Sequence, residues 1–219
     1  MALDSLIEWQ ISPRLTEYEF AHQQMTARVE AILQGEAQEL IWLLEHPPLY
    51  TAGRSADPKE LLTPQRFPVY PIERGGRYTY HGPGQRIGYI MIDIKKHGQD
   101  VRRFVHGLEF WIITSLSLLG VTAYSVPERV GIWVNTEEGE AKIGAIGIRI
   151  KRGISFHGFS LNVAPDLEHF SGIVPCGLQD FGVTSLEHLH KNIEMTAVDE
   201  ALKACFPHFL AFLEATSTP

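Results

Sequence analysis

Residues 142–163 read KIGAIGIRIKRGISFHGFSLNV, and this stretch decides the fold class. It contains two strand-like runs, KIGAIGIRI at 142–150 and ISFHGFSLNV at 154–163. Their β-branched and aromatic residues suit a pleated, buried surface. A third run, GIWV at 131–134, comes just before them. Upstream, residues 6–11 alternate, with Ile7, Trp9 and Ile11 on one face of a strand. Leu40 to Leu44 reads as a short buried strand, and Tyr89 to Ile94 as another. Residues 46–68, rich in proline, read as a long connection.

Helical patterns lie outside the strand clusters. Ser12 and Pro13 offer a capping hydroxyl and a first-turn proline. Leu15, Tyr18, Met25, Val29 and Ile32 follow at helical spacing, and Gly35 stops the run. Asp100 caps a second helix, whose buried face carries Val101, Phe104, Val105, Leu108, Trp111, Ile112, Leu116 and Leu119; Gly120 ends it. Thr184 to Glu187 has the form of a capping box for a short helix. Val198, Leu202, Cys205, Phe206, Phe209 and Leu213 outline a closing helical region that Pro207 breaks or restarts. Strands in clusters with helices at the ends predict an α+β fold of mostly antiparallel sheets with flanking helices.

The 219 residues suit one large domain spanning 1–219. An apolar content of 44% supplies a core without disulfide or metal staples. The mean hydropathy of -0.06 and the lack of a long apolar run predict no membrane span. The N-terminal MALDSLIEWQ has no basic residue and carries Asp4 and Glu8, the wrong chemistry for a targeting segment. The 2 cysteines, Cys176 and Cys205, have no metal-type spacing and suit a reducing cytoplasm. A net charge of -7 argues against nucleic-acid binding. Basic clusters at Lys95–Lys96 with Arg102–Arg103, and at Arg149, Lys151 and Arg152, are either docking sites for acidic partners or solvated charges.

Residues 74–85 read RGGRYTYHGPGQ, too broken for a helix and too glycine-rich for an ordinary core strand. Such glycine clusters let backbone approach something that is not protein. Cys176, in the irregular GIVPCGL, is a candidate nucleophile; Cys205 sits on an apolar helical stripe and reads as a packing residue. Lys142 falls in phase with Gly144, Ile146, Ile148 and Ile150 if that strand is unbroken. It then either reaches the thiol of Cys176, favouring the thiolate, or snorkels to the sheet edge, or is turned outward by a bulge at Gly144. His81 and His157, each beside glycine, are otherwise hydrogen-bonded structural histidines. No paired local spacing makes a zinc site of His81, His157 and Cys176, so no metal is expected. His188 and His190 face different sides of a helix. There is no Gly-x-Ser-x-Gly elbow and no Walker A loop.

In the same order, RGGRYTYHGPGQ, KIGAIGIRI, SFHGFSLNV and GIVPCGL closely resemble the octanoyltransferases of lipoate biosynthesis, over about residues 40–186. The resemblance implies the fold of the biotin/lipoate protein ligase catalytic domain. It implies transfer of an octanoyl group from octanoyl-acyl carrier protein to a specific lysine of a lipoyl domain. The acceptors implied are the E2 subunits of 2-oxoacid dehydrogenases and the glycine cleavage H protein. Cys176 matches the family's acyl-thioester nucleophile and Lys142 its acid/base. Arg74, Gly75, Gly76, Arg77, Tyr78, Thr79, Tyr80 and His81 match its acyl-pocket segments, as do Ala145, Ile146, Gly147, Gly158, Phe159 and Ser160. No cofactor is implied, because a thioester-to-thioester exchange is close to energy-neutral. The rival readings are an ATP-dependent ligase of the same fold, a non-catalytic lipoyl-domain binding module, and a thioesterase.

Overall fold

The computed structural model describes residues 7–175 and 181–215. The chain opens with β1 (Ile7–Ile11), α1 (Tyr18–Gln34) and β2 (Glu39–Leu44). A small-sheet region follows: β3 (Leu49–Ala52), β4 (Val69–Pro71) and β5 (Tyr78–His81). Next come β6 (Gln85–Met91), α2 (Val101–Leu118) and β7 (Tyr124–Val126). The three central runs become β8 (Arg129–Thr136), β9 (Gly139–Lys151) and β10 (Ile154–Asn162). The described chain closes with β11 (Gly182–Val183) and α3 (Met195–Glu214).

Among the described residues the main sheet has the order β1-β2-β6-β10-β9-β8-β7, with β11 pairing with β9. Its central pairings are antiparallel, whereas β1 with β2 and β11 with β9 are parallel. One face buries Ile41, Ile90, Phe159 and Leu161 against Phe104, Trp111, Phe206 and Phe209 of α2 and α3. The opposite face buries Trp42, Tyr89 and Phe156 against Ala21, Met25 and Val29 of α1. The small sheet, ordered β4-β3-β5, has its own core of Tyr50, Tyr78, Tyr80, Phe170 and Ile173. Mostly antiparallel mixed sheets with flanking helices are thus present as expected.

Several local expectations are corrected. Helix α1 begins at Tyr18, not at Pro13, because Ser12 has other work. Its Oγ accepts from Trp42 Nε1 at 2.9 Å, and its N–H donates to Leu43 O at 2.9 Å. Gly35 ends α1 in the left-handed conformation, as expected. Residues 46–68 are not a bare connection: β3 lies inside them, with Tyr50 and Thr51 fully buried. Its four residues are too short to show a period between the flanking prolines. The segment after Thr184 is a turn, not a helix. Ser185 Oγ caps it at the His188 N–H, but Leu186 and Glu187 N–H are spent on Asn162 O and Val163 O of the sheet. His188 and His190 therefore lie in a turn. Pro207 does not break α3, which runs on to Glu214. Burial of Phe206, Phe209, Leu210 and Leu213 around it outweighs the roughly 3 kcal/mol cost of an interior proline. Val101 is exposed and lies off the buried face of α2, while Cys205 is buried in the packing role expected of it.

Candidate active site

The site forms where β8 and β9 part. Ile132 pairs with Gly144 and Trp133 with Lys142, so Ile143 is an extra residue, a β-bulge. The bulge puts Lys142 and Gly144 on opposite faces despite their spacing. A Cβ on Gly144 would meet the Ile132 side chain in the core, whereas Lys142 lies over the Trp133 ring, its Nζ 4.8 Å from the centroid. The expectation that Lys142 shares a face with Gly144 and Ile146 is corrected. The bulge turns it, yet not into solvent, since Lys142 is only 9% exposed. Beyond the Ile132–Gly144 pair β8 no longer pairs with β9, and the edge of β9 is met by the Gly75 N–H, which donates to Ile148 O at 3.3 Å.

Between these diverging strands and the small sheet lies a cavity of about 640 Å³. Lys142 lines it, together with Arg74, Gly75, Gly76, Arg77, Thr79, His81, Ala145, Ile146, Gly147, Gly158, Phe159 and Ser160. Tyr78 and Tyr80 do not line it. Their rings are buried in the small-sheet core, because alternation along β5 turns Thr79 and His81 to the opposite side. Thr51, Tyr18, Ile72, Ile87, Tyr89, Val105 and Arg129 also contribute to the wall. Sequence reasoning missed these: Thr51 hides in the proline-rich segment, and Tyr18 reads as one more apolar position of α1.

Glycine is required at two points of this wall by close approach. A Cβ on Gly147 would sit 2.6 Å from Arg74 Cδ, and one on Gly158 would sit 2.1 Å from Gly88 O. Arg74 is buried, its guanidinium donating to Thr51 Oγ1 at 2.7 Å, Gly75 O at 2.8 Å and Arg77 O at 3.1 Å. It ties the glycine segment to β3.

The histidines around the cavity are neutral. Burial, ahead of the nearby His46 and the Arg74 guanidinium, pushes His81 down to about 3. Burial, ahead of Arg74, pushes His157 down to about 3, and burial pushes His46 down to about 4. A directed chain of hydrogen bonds settles the tautomer of His81. The Thr184 carbonyl can only accept, so Asn162 Nδ2 donates to it at 2.9 Å. Gln85 Nε2 then donates to Asn162 Oδ1 at 2.8 Å, and His81 Nδ1 donates to Gln85 Oε1 at 2.7 Å. His81 Nε2 keeps its lone pair. His46 is fixed likewise, Nδ1 donating to Thr16 O at 2.5 Å and Nε2 accepting from Tyr89 Oη at 2.6 Å. His157 has φ 65°, and its ring lies against Phe156, Tyr89 and His22.

Lys142 Nζ donates to Val130 O at 3.1 Å, and among the described residues it has no carboxylate partner. Cys176 lies outside the described residues. Downstream of it, the Phe181 ring meets Trp133 at 5.3 Å, and β11 pairs Gly182 with Ala141 and Val183 with Lys142. The basic cluster is partly spent: Arg149 pairs with Glu73, and Lys151 with Glu30. Among the described residues one group of potential metal ligands, Asp166, Glu168 and His169, is engaged elsewhere. Glu168 pairs with Arg66, and His169 Nδ1 with Tyr80 Oη at 2.8 Å.

The lipoyl protein ligase A/B catalytic domain matches residues 17–207 of this chain. The chain belongs to this family. An octanoyltransferase of Zymomonas mobilis is 66% identical over 96% of this chain and 98% of its own length. One from Rhizorhabdus wittichii is 57% identical over 99% and 97%. Like these members of the lipoyl protein ligase A/B family, the chain is an acyltransferase. The fold has solved counterparts at low identity. The Plasmodium falciparum LipL1 structure in complex with lipoate has a TM-score of 0.71 at 12% identity, covering 97% of this chain and 65% of that one. A lipoate-protein ligase A bound with ATP has a TM-score of 0.64 at 18% identity, covering 93% and 86%.

Proposed function

We propose that this enzyme moves an octanoyl group from octanoyl-acyl carrier protein, through a thioester on Cys176, to a specific lysine of a lipoyl domain. The acceptors are the E2 subunits of 2-oxoacid dehydrogenases and the glycine cleavage H protein. Residues 1–219 act as one catalytic unit in the cytoplasm. The reading is supported above all by one observation: Lys142, an ammonium with no carboxylate partner among the described residues, lines the cavity, and the chain downstream of Cys176 pairs with the sheet beside it.

In this reading Lys142 favours the Cys176 thiolate. The thiolate attacks the octanoyl carbonyl, the phosphopantetheine sulfur leaves, and Lys142 supplies its proton. The amine of the acceptor lysine then attacks the Cys176 thioester. The Cys176 sulfur leaves as the nitrogen gives up a proton to Lys142, and an amide results. No nucleotide is consumed. The cavity suits the acyl chain because its histidines are neutral and Ile72, Ile87, Ile146 and Phe159 line it. Burying about six methylenes contributes roughly 5 kcal/mol.

Mass spectrometry after mixing with octanoyl-acyl carrier protein, without ATP, tests this. The expected product carries one octanoyl unit on Cys176, is absent in Cys176→Ala and forms slowly in Lys142→Ala. Acylation that requires ATP, or that persists in Cys176→Ala, overturns it. Release of free octanoate with no lipoyl domain present marks a thioesterase instead.

A further inference from the structure

The peptide unit joining Val130 to Gly131 is held from both ends. Its carbonyl accepts from Lys142 Nζ at 3.1 Å, and its N–H donates to Glu109 Oε1 at 3.0 Å. Gly131 takes part in neither strand ladder, because pairing with β9 stops at Ile132 and pairing with β7 skips from Trp133 to Arg129. Its N–H therefore needs an acceptor from elsewhere, and α2 provides one. The Glu109 side chain is only 4% exposed, and its second oxygen accepts from His106 Nδ1 at 3.0 Å.

We propose that Glu109 is a positioning residue for Lys142. It sets the plane of the Val130–Gly131 peptide, and so the direction of the carbonyl that holds the ammonium. The sense of the charges fits. A carboxylate at the N–H end and an ammonium at the C=O end both align with the peptide dipole, and each strengthens the other's hydrogen bond. Gly131, at φ 138°, is itself free to rotate, so without Glu109 the carbonyl has no fixed direction. The inference rests on the reading of Lys142 as the acid/base of the reaction.

The test is a mutant cycle read in single-turnover octanoyl transfer to a lipoyl domain. Glu109→Met removes the acceptor at similar length, and it is expected to slow the step about tenfold, since small misplacements of a reacting group carry penalties of that size. KM for the octanoyl donor should stay within about twofold, because uniform binding is untouched. Glu109→Gln keeps an acceptor oxygen and should recover most of the rate. On a Lys142→Ala background Glu109→Met should add no further loss, the mark of two residues acting through one contact. Wild-type rates in Glu109→Met overturn the proposal, as does a loss that carries over undiminished into Lys142→Ala. If Glu109→Met does not fold, Glu109→Asp gives the same readout, since it keeps the charge and falls one methylene short. Wild-type rates in Lys142→Ala alone strike at the acid/base reading itself and overturn both.

Discussion

At Gly131 one hydrogen atom stands where any other residue has a side chain. A Cβ there would lie 2.9 Å from Gly144 O, 3.0 Å from Lys142 Cε and 3.1 Å from Lys142 Nζ. The backbone at φ 138° also lies where L-residues are strained. Gly131→Ala is therefore expected to destabilise the protein by about 1–3 kcal/mol. It should slow acylation more than its stability loss explains, because the methyl displaces the ammonium. Urea titration and single-turnover acylation, measured on the same preparation, separate the two effects; an unchanged acylation rate contradicts the placement of Lys142 argued above. Residue chemistry at this site was largely legible. Lys142, His81, His157 and the glycines stand out as residue types at odds with their surroundings. The side of the sheet on which Lys142 lies was not legible, because a bulge leaves no mark in a run such as KIGAIG, where every second register looks equally good.

At the scale of elements, α3 is tied to the sheet by charge as well as by apolar packing. Arg86 of β6 and Asp199 of α3 form an ion pair, Nε to Oδ1 at 2.8 Å and Nη2 to Oδ2 at 3.0 Å, with side chains 4% and 7% exposed. Burial raises the Asp199 carboxyl, and Arg86 opposes that shift without cancelling it. Asp199→Ala leaves the guanidinium buried and unpaired, so a loss of about 3–5 kcal/mol is expected. Arg86→Met combined with Asp199→Ala should recover most of it, since two apolar groups replace two charges. Urea midpoints of the three proteins decide the matter, and a double variant no better than Asp199→Ala refutes the account. This pair was invisible in sequence: 113 residues separate its members. The helices themselves were readable because their periods are local. Their starts and breaks were not, since Ser12 and Pro207 respond to Trp42 and to the surrounding core.

Over the whole molecule, the buried histidines set the response to acid. His46, His81 and His157 sit at about 4, 3 and 3 in the folded chain, below the ordinary 6.5. Each is held neutral, so the unfolded chain binds more protons once the pH falls below about 6.5. Their contribution to stability is complete above that pH and is lost as the pH falls toward the folded values. His97 has the opposite sign. Its hydrogen bond to Glu39 comes first in raising it, so its contribution is complete below 6.5 and fades as the pH rises through its folded value. His22 is lowered too, by burial first, so four histidines against one give a net loss on acidification. Each proton contributes up to about 1.4 kcal/mol per pH unit. The urea midpoint is expected to drop between pH 7 and pH 5, and a flat or rising midpoint contradicts the neutral assignment.

By itself the sequence determined the class of the fold, the positions of the glycines and the residue types available for chemistry. Those properties follow from local periodicity, from backbone permissiveness and from side-chain inventory. Only the tertiary structure decided that β8 and β9 slip register at Ile143 and part beyond Gly144, that Lys142 turns into the resulting cavity and that Glu109 reaches the peptide which holds it. Those outcomes depend on which polar groups are left over once distant strands have paired, and no window along the chain contains that remainder.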